Sequence, residues 1–234
     1  MCWRNIMVVA WVLVAFMSSS LWSASVGVSR FSSLAASGQT SQDQFDLSAS
    51  FDNFGTYSDS IGDELSTGSG GVTRAQASQQ SLAMAIPVSG SAVGIADAQV
   101  AELDAIAAQA RSTFRYTFDV LAQPETLTLS GEVAATFDGS ARVAVLDEAT
   151  QVLFERIVNL GEQDTLGMNE SIVLSPGRYQ LLAEAVVTGT PSPNSGSFEL
   201  TYRVTNPIPL PAGSWAGCVG AIFALLLATR KRFS

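Results

Sequence analysis

No histidine occurs anywhere in the 234 residues, and the only lysine is Lys231. These two absences remove Ser-His-Asp and Cys-His catalysis, His-ligated zinc and Schiff-base chemistry from everything upstream of the C-terminus. Cysteine is nearly absent too: Cys2 and Cys218 are the only two, and both fall in apolar terminal segments. A domain between them has neither thiol nor disulfide, so it must fold on its core alone. Charged residues make up only 14% of the chain, and positive charge is the scarcer sign. All 21 acidic residues lie between Asp43 and Glu199; with Arg4, Arg230, Lys231 and Arg232 set aside as terminal, eight basic residues remain, a balance of −13. Neutralising phosphates requires the opposite balance, which excludes nucleic acid as a partner.

What is abundant is apolar sequence, 47% of the chain, and its longest runs sit at the two ends. Ile6 to Met17 (IMVVAWVLVAFM) gives twelve apolar residues behind Arg4, followed by the small residues Ser18, Ser19, Ser20, Ser23, Ala24 and Ser25. Residues 1–25 therefore read as a signal peptide for the secretion translocon, too short to span a bilayer comfortably. Cleavage after Ser25 places Ser23 and Ser25 at the two small-residue positions. A cut after Ser20 is the runner-up, and an uncleaved anchor is the competing reading.

Residues 26–205 read as one extracytoplasmic domain with two unequal halves. The first, 26–110, is rich in Ser, Ala, Gln and Gly. Within it Phe45, Leu47, Ala49 and Phe51 alternate with polar residues, and Leu82, Met84, Ile86 and Val88 alternate with small ones. Both runs read as strands, with Pro87 placing the second at a sheet edge. Residues 97–110 suit a short helix, with Asp97 as its cap and Val100, Leu103, Ile106, Ala107 and Ala110 on one face; a long strand is the competing reading. The second half, 111–205, is plainly β. Phe114, Tyr116 and Phe118 alternate with polar residues. A run from Leu127 through Val133, Ala135 and Phe137 reaches the Asp138-Gly139 turn, and Ala141–Asp147 and Val152–Val158 follow. Tyr179, Leu181, Ala183, Ala185 and Val187 share a face, as do Phe198, Leu200, Tyr202 and Val204. Leu182 and Val186 make the other face of the first of these runs mixed and partly covered. Several short strands at close spacing indicate a mainly β fold, an antiparallel β-sandwich of jelly-roll type.

Pro176-Gly177 suits a type II turn. The string Leu174-Ser175-Pro176-Gly177-Arg178-Tyr179 resembles the turn-to-strand element of many secreted bacterial β-sandwiches, among them pre-peptidase C-terminal-type and carbohydrate-binding jelly rolls. That resemblance implies a fold class and no function.

No residues form a recognisable catalytic set. Asp43, Asp46, Asp52, Asp59, Asp63 and Glu64 offer oxygen ligands of the kind Ca²⁺ takes, but no D-x-[DN]-x-[DN]-G run is present and solvated charge is the simpler account. No cofactor is expected, with Ca²⁺ as the alternative. Carboxylate pairs for glycan hydrolysis exist in number, yet nothing singles out two. Tyr57 and Phe54 are candidates for stacking on sugar rings.

The C-terminal 29 residues carry the most specific signal. Residues 206–211 (NPIPLP) form a linker that neither sheet nor helix absorbs. Ala212 to Ala228 follows without a charge, placing a transmembrane helix at 212–229, with Cys218 as a small packing residue beside Gly217 and Gly220. Residues 230–234 begin with Arg230-Lys231-Arg232 and form a tail held cytoplasmic. Pro209, Leu210, Pro211, Ala212, Trp215, Gly217, the apolar run and Arg230 to Arg232 resemble the PEP-CTERM class of C-terminal sorting signals in its P-L-P variant. Leu210 stands where the usual glutamate would be. The resemblance implies recognition by an exosortase, an integral membrane cysteine peptidase, with cleavage near the proline box and transfer to the cell surface or extracellular matrix. An unprocessed membrane anchor is the competing reading. The function expected is a non-enzymatic exported surface or matrix protein. The alternatives are a carbohydrate-binding surface module, with exopolysaccharide as its partner, and a hydrolase using carboxylates alone.

Overall fold

The computed structural model describes residues 25–67, 70–101, 105–189, 191 and 193–205, with the side chains of 105 and 106 excepted. Among them are twelve strands and no helix. In chain order these are β1 (Val26–Thr40), β2 (Gln44–Phe51), β3 (Gly55–Ser66), β4 (Val72–Met84), β5 (Ser89–Ala101) and β6 (Ala105–Val120). They continue with β7 (Glu125–Ala135), β8 (Gly139–Asp147), β9 (Val152–Val158), β10 (Asp164–Leu174), β11 (Gly177–Thr188) and β12 (Asn194–Thr205). The first sheet has the order β2-β1-β6-β11-β8-β9 and the second β10-β7-β12-β5-β4-β3. Every pairing is antiparallel, and the two sheets pack face to face as a β-sandwich.

The pairings of the last eight strands nest. β5 pairs with β12, β6 with β11, β7 with β10 and β8 with β9. This part of the chain is one long antiparallel hairpin, folded so that successive strand pairs alternate between the sheets. The first four strands widen both sheets, β1 and β2 beyond β6, and β4 and β3 beyond β5. Strand directions alternate throughout, so Val26 and Thr205 lie at the same end of the sandwich. That end also carries residues 85–88, 121–124 and 175–176.

Period-two patterning decides which side chains face inward. Phe114, Tyr116 and Phe118 on β6, Leu127 and Leu129 on β7, Leu181 on β11, and Phe198, Leu200 and Tyr202 on β12 are all buried. Glu199 and Arg203 are exposed, as the alternation requires, whereas Glu184 is half-buried where Arg111 pairs with it. Leu182, on the outer face of β11, is 8% exposed, so that face is indeed partly covered. On β4 and β5 the inner face is built mostly from small residues, Ala75, Ala77, Ser81 and Ala83 on β4 and Ala92, Ala96 and Ala98 on β5, with Gln79 among them.

Among the described residues of 97–110 no helix forms: 97–101 belong to β5 and 105–110 to β6, Asp97 is an exposed outward residue of β5, and Leu103 lies outside the described residues. Each of these strands is hydrogen-bonded on both sides, β5 to β4 and β12, β6 to β1 and β11. A helix here would leave four neighbouring ladders unpaired, which outweighs the helix propensity of alanine. Leu82 and Met84 do not face the core: they are exposed, and the small residues between them are buried. The strand ends at Met84, and Ile86 and Pro87 belong to a turn between two interior strands rather than to a sheet edge. Phe137 sits beyond the end of β7 and is exposed.

Residues 175–176 form a bend rather than a type II turn, with φ +158° at Gly177. The bend carries the chain from β10 in one sheet to β11 in the other. Buried Leu174 holds one side, and the Tyr179 hydroxyl donates a 2.8 Å hydrogen bond to the Ser175 carbonyl on the other. A tyrosine that closes back on the chain four residues upstream pins a sheet-crossing corner. Gly131, in the middle of β7, has φ +140°, and a side chain there would run into the Glu199 carbonyl of β12.

One cation is enclosed in the core. Arg30, on the inner face of β1, is 1% exposed, and no carboxylate among the described residues forms an ion pair with it. Its guanidinium lies 4.7 Å from the Phe51 ring centroid and 5.6 Å from that of Tyr57, and it donates to the carbonyls of Asn53 at 3.0 Å and Gly55 at 3.3 Å and to the Ser81 hydroxyl. Burial lowers its pKa, but a guanidinium stays charged in proteins, so aromatic faces and carbonyl dipoles must stabilise it. In holding those carbonyls Arg30 fastens the crossing from β2 to β3, the edge strands of opposite sheets.

Two substitutions test this core by urea denaturation. Phe198→Ala should destabilise by about 3–5 kcal/mol, the range for a large aromatic in a packed interior; a loss below about 1 kcal/mol is a surface value and would contradict the assignment. Arg30→Lys should destabilise by about 2 kcal/mol, because one ammonium cannot both stack on Phe51 and reach three acceptors. An Arg30→Lys variant as stable as the wild type would show that charge alone is needed there.

Candidate functional site

The outer face of the first sheet bears a groove of about 370 Å³ across β2, β1 and β6. Alternation assigns its lining. Inward residues of β1 such as Arg30, Ser32 and Leu34 are buried, which turns Phe31, Ser33 and Ala35 outward. The same rule turns Arg111, Thr113 and Arg115 outward on β6, and Ser48 and Ser50 outward on β2. Register brings them together: Phe31 stands opposite Arg115, Ser33 opposite both Thr113 and Ser50, and Ala35 opposite both Arg111 and Ser48. The result is a three-strand patch with an aromatic ring at one end, hydroxyls in the middle and two guanidiniums along one side.

The two guanidiniums differ. Arg111 Nε donates to Glu184 Oε1 at 2.6 Å, so its charge is answered by the neighbouring strand β11. Arg115 is exposed and has no ion-pair or hydrogen-bond partner among the described residues. Between them Thr113 is 3% exposed, and its Oγ1 has no hydrogen-bond partner. Phe31 is 40% exposed, although a phenylalanine ordinarily prefers burial. Chemically the patch can stack on a flat apolar surface, donate hydrogen bonds in a fork and exchange hydroxyl hydrogen bonds. Glu184, beside the groove on β11, is engaged by Arg111.

Of the sugar-stacking candidates, Tyr57 is a core residue, 9% exposed and stacked on Phe51 at 5.3 Å beside Arg30. Phe54 is partly exposed, with its edge against Tyr116 at 6.0 Å. The six acidic candidates are dispersed. Asp43 precedes β2, Asp46 lies on it and Asp52 follows it, whereas Asp59, Asp63 and Glu64 are exposed along β3, the edge of the other sheet. Among the described residues no three His, Cys, Asp or Glu side chains come close enough to hold a metal ion. Charge along an exposed edge strand is a common guard against edge-to-edge pairing. Other carboxylates pair with arginine. Glu170 meets Arg156 at 2.7 Å, and Asp119 accepts from Arg178 at 2.8 and 3.0 Å, a contact that holds the Asp119 carboxyl below its ordinary pKa.

Ser25 is described and is buried immediately before β1. Ser23 and the sorting residues Pro209, Leu210, Pro211, Ala212, Trp215, Gly217, Arg230, Lys231 and Arg232 lie outside the described residues, as do the apolar runs 6–17 and 212–228. Among the described residues no helix is long and apolar enough to cross a membrane. The groove itself was not singled out in sequence. Arg111, Thr113 and Arg115 are visible there as the polar parity of a strong strand, but only pairing reveals that Phe31 and the β2 serines adjoin them.

No family model matches the chain, and no curated protein matches it. Three solved structures show distant likeness. The enzymatically active domain of bacteriophage CBA120 tailspike protein 4 is 11% identical with a TM-score of 0.27, over 64% of this chain and 19% of that one. TmCBM61, solved in complex with β-1,4-galactotriose, is 13% identical with a TM-score of 0.24, over 49% of this chain and 81% of that one. A protein of the Gx strain of infectious bursal disease virus is 10% identical with a TM-score of 0.24, over 80% of this chain and 59% of that one. At such values the likenesses carry no weight for what this chain does, and its membership of a family is not established by them.

Proposed function

We propose that the chain is an exported cell-surface or extracellular-matrix protein without enzymatic activity, sorted through its C-terminal signal by an exosortase-like membrane peptidase. The observation that carries this reading is the placement of the two chain ends. Val26 and Thr205 leave the sandwich on one side, and only residues 206–211 separate Thr205 from the apolar run that begins at Ala212. A sandwich held this way stands with that end toward the membrane and its outer faces free. The nested pairing of β5 to β12 supports a jelly roll as the core, widened by β1 to β4. A single-pass membrane form would precede processing, with Arg230, Lys231 and Arg232 on the cytoplasmic side.

A second reading, a carbohydrate-binding surface module, is favoured by the groove on the outer face, where Phe31, hydroxyls and a free guanidinium adjoin. Nothing in the fold obstructs both readings from holding together, since the groove lies on a sheet face and the tail leaves from one end.

The sorting reading is tested by blotting a chain with one tag inside a loop of the domain and another after Ser234, in a host with the peptidase. The wild type should lose the C-terminal tag during growth. Pro209→Ala with Pro211→Ala should still be exported, while the full-length form accumulates in the membrane, because the proline box no longer holds an extended backbone for the peptidase. Removing Arg230 to Ser234 should instead shed protein to the medium. A C-terminal tag that stays on the wild-type protein throughout growth would make the tail a plain anchor.

A further inference from the structure

We infer that the groove on the outer face of the first sheet binds an anionic sugar, a glycan residue carrying a carboxylate, with Arg115 as its anion-recognising group and Phe31 as its stacking platform. The inference rests on the carbohydrate-binding reading above and names the ligand class for it. Three observations converge. Arg115 is an exposed guanidinium without a partner among the described residues, in a domain whose other groove cation, Arg111, is already paired with Glu184. In an acidic protein a lone cation that stays unpaired is available to a ligand anion. Phe31 stands directly opposite it in register and is 40% exposed, so a sugar ring lying on the phenyl face brings a ring carboxylate toward the guanidinium fork. Thr113 supplies the third: it is 3% exposed, lines the groove two residues from Arg115 on the same face, and leaves Oγ1 without a partner. A buried hydroxyl in that state gains a partner when a ligand hydroxyl, or a water bridging to one, displaces the side chains that cover it.

The charges around the groove limit the ligand. Glu184 faces it from β11 and Asp46 lies one outward position beyond Ser48 on β2, while Asp52 follows the end of β2 near Phe31. Clustered anions would meet repulsion on three sides, so the geometry favours one carboxylate seated on Arg115 with uncharged sugar edges over the serines. An acidic peptide offers the carboxylate but no rigid ring with an apolar face for Phe31.

The test uses the full chain purified in a mild non-ionic detergent, with titration calorimetry against trigalacturonate, the neutral galactotriose and a triglutamate peptide. Trigalacturonate should bind most tightly. Arg115→Gln should weaken it roughly tenfold, the scale of one charge-assisted hydrogen-bonded contact, and leave galactotriose within about twofold. Phe31→Ala should weaken both sugars. Because both side chains are exposed, the two variants should retain the wild-type urea midpoint, and that measurement shows that they are folded. Galactotriose bound as tightly as trigalacturonate, with Arg115→Gln inert, would overturn the anionic ligand and leave the carbohydrate reading intact. Triglutamate bound as tightly as trigalacturonate would overturn the sugar and make the groove an acidic-peptide site. No binding of any of the three would overturn the inference and the carbohydrate reading for this groove together.

Discussion

The contact between Tyr116 of β6 and Tyr202 of β12, with ring centroids 5.1 Å apart, joins the two sheets at their centre. Phe114, Phe118 and Tyr179 extend it at centroid separations of 6.0, 5.9 and 5.8 Å along the chain of rings. In a domain without a disulfide, such a cluster is the strongest single source of cross-sheet cohesion available, since aromatic side chains bury the most area per residue. Burial pushes both tyrosine hydroxyls far above their ordinary pKa. The Tyr116 hydroxyl also donates to the Met84 carbonyl at 2.7 Å, which ties the end of β4 to the same centre.

Away from that cluster the packing changes character. Between β1, β4 and β5 the interior is made mostly of alanine, serine, threonine and glutamine around Leu34, with Arg30 set into an aromatic pocket. This contrast explains which parts of the fold were legible in sequence. β11 and β12 alternate large apolar with charged residues, and their faces follow at once from period two. β4 and β5 alternate alanine with larger residues, and alanine suits a helix, a core or a surface equally well. Leu82 and Met84 were therefore the misleading signal, being the larger side chains on what is the outer face. The helix expected over 97–110 failed for the same reason. The corner at Ser175-Pro176 was legible as a turn, whereas its role as a crossing between sheets depended on pairings made by distant strands.

The groove is a consequence of pairing more than of any motif. Phe31 lies next to Arg30 in sequence, and alternation sends one to the surface and the other to the core. A one-residue slip of β1 would exchange them, placing a phenylalanine in the pocket of Arg30 and a third guanidinium on the outer face. The fixed register of β1 against β6 thus sets both the buried cation that fastens the β2-to-β3 crossing and the exposed ring opposite Arg115. Site and fold share one constraint here.

The central structural claim is that the nested strands joined by the aromatic centre form the most stable part of the sandwich and that the outer strands are added to it. Native-state hydrogen exchange measures this strand by strand, because amides exchange through the cheapest opening that exposes them. The slowest amides should lie on β6, β11 and β12, exchanging only through global unfolding, while those of β2 and β3 exchange through smaller openings at the sheet edges. Slowest exchange on β2 and β3, or uniform fast exchange across β6, β11 and β12, would contradict the account.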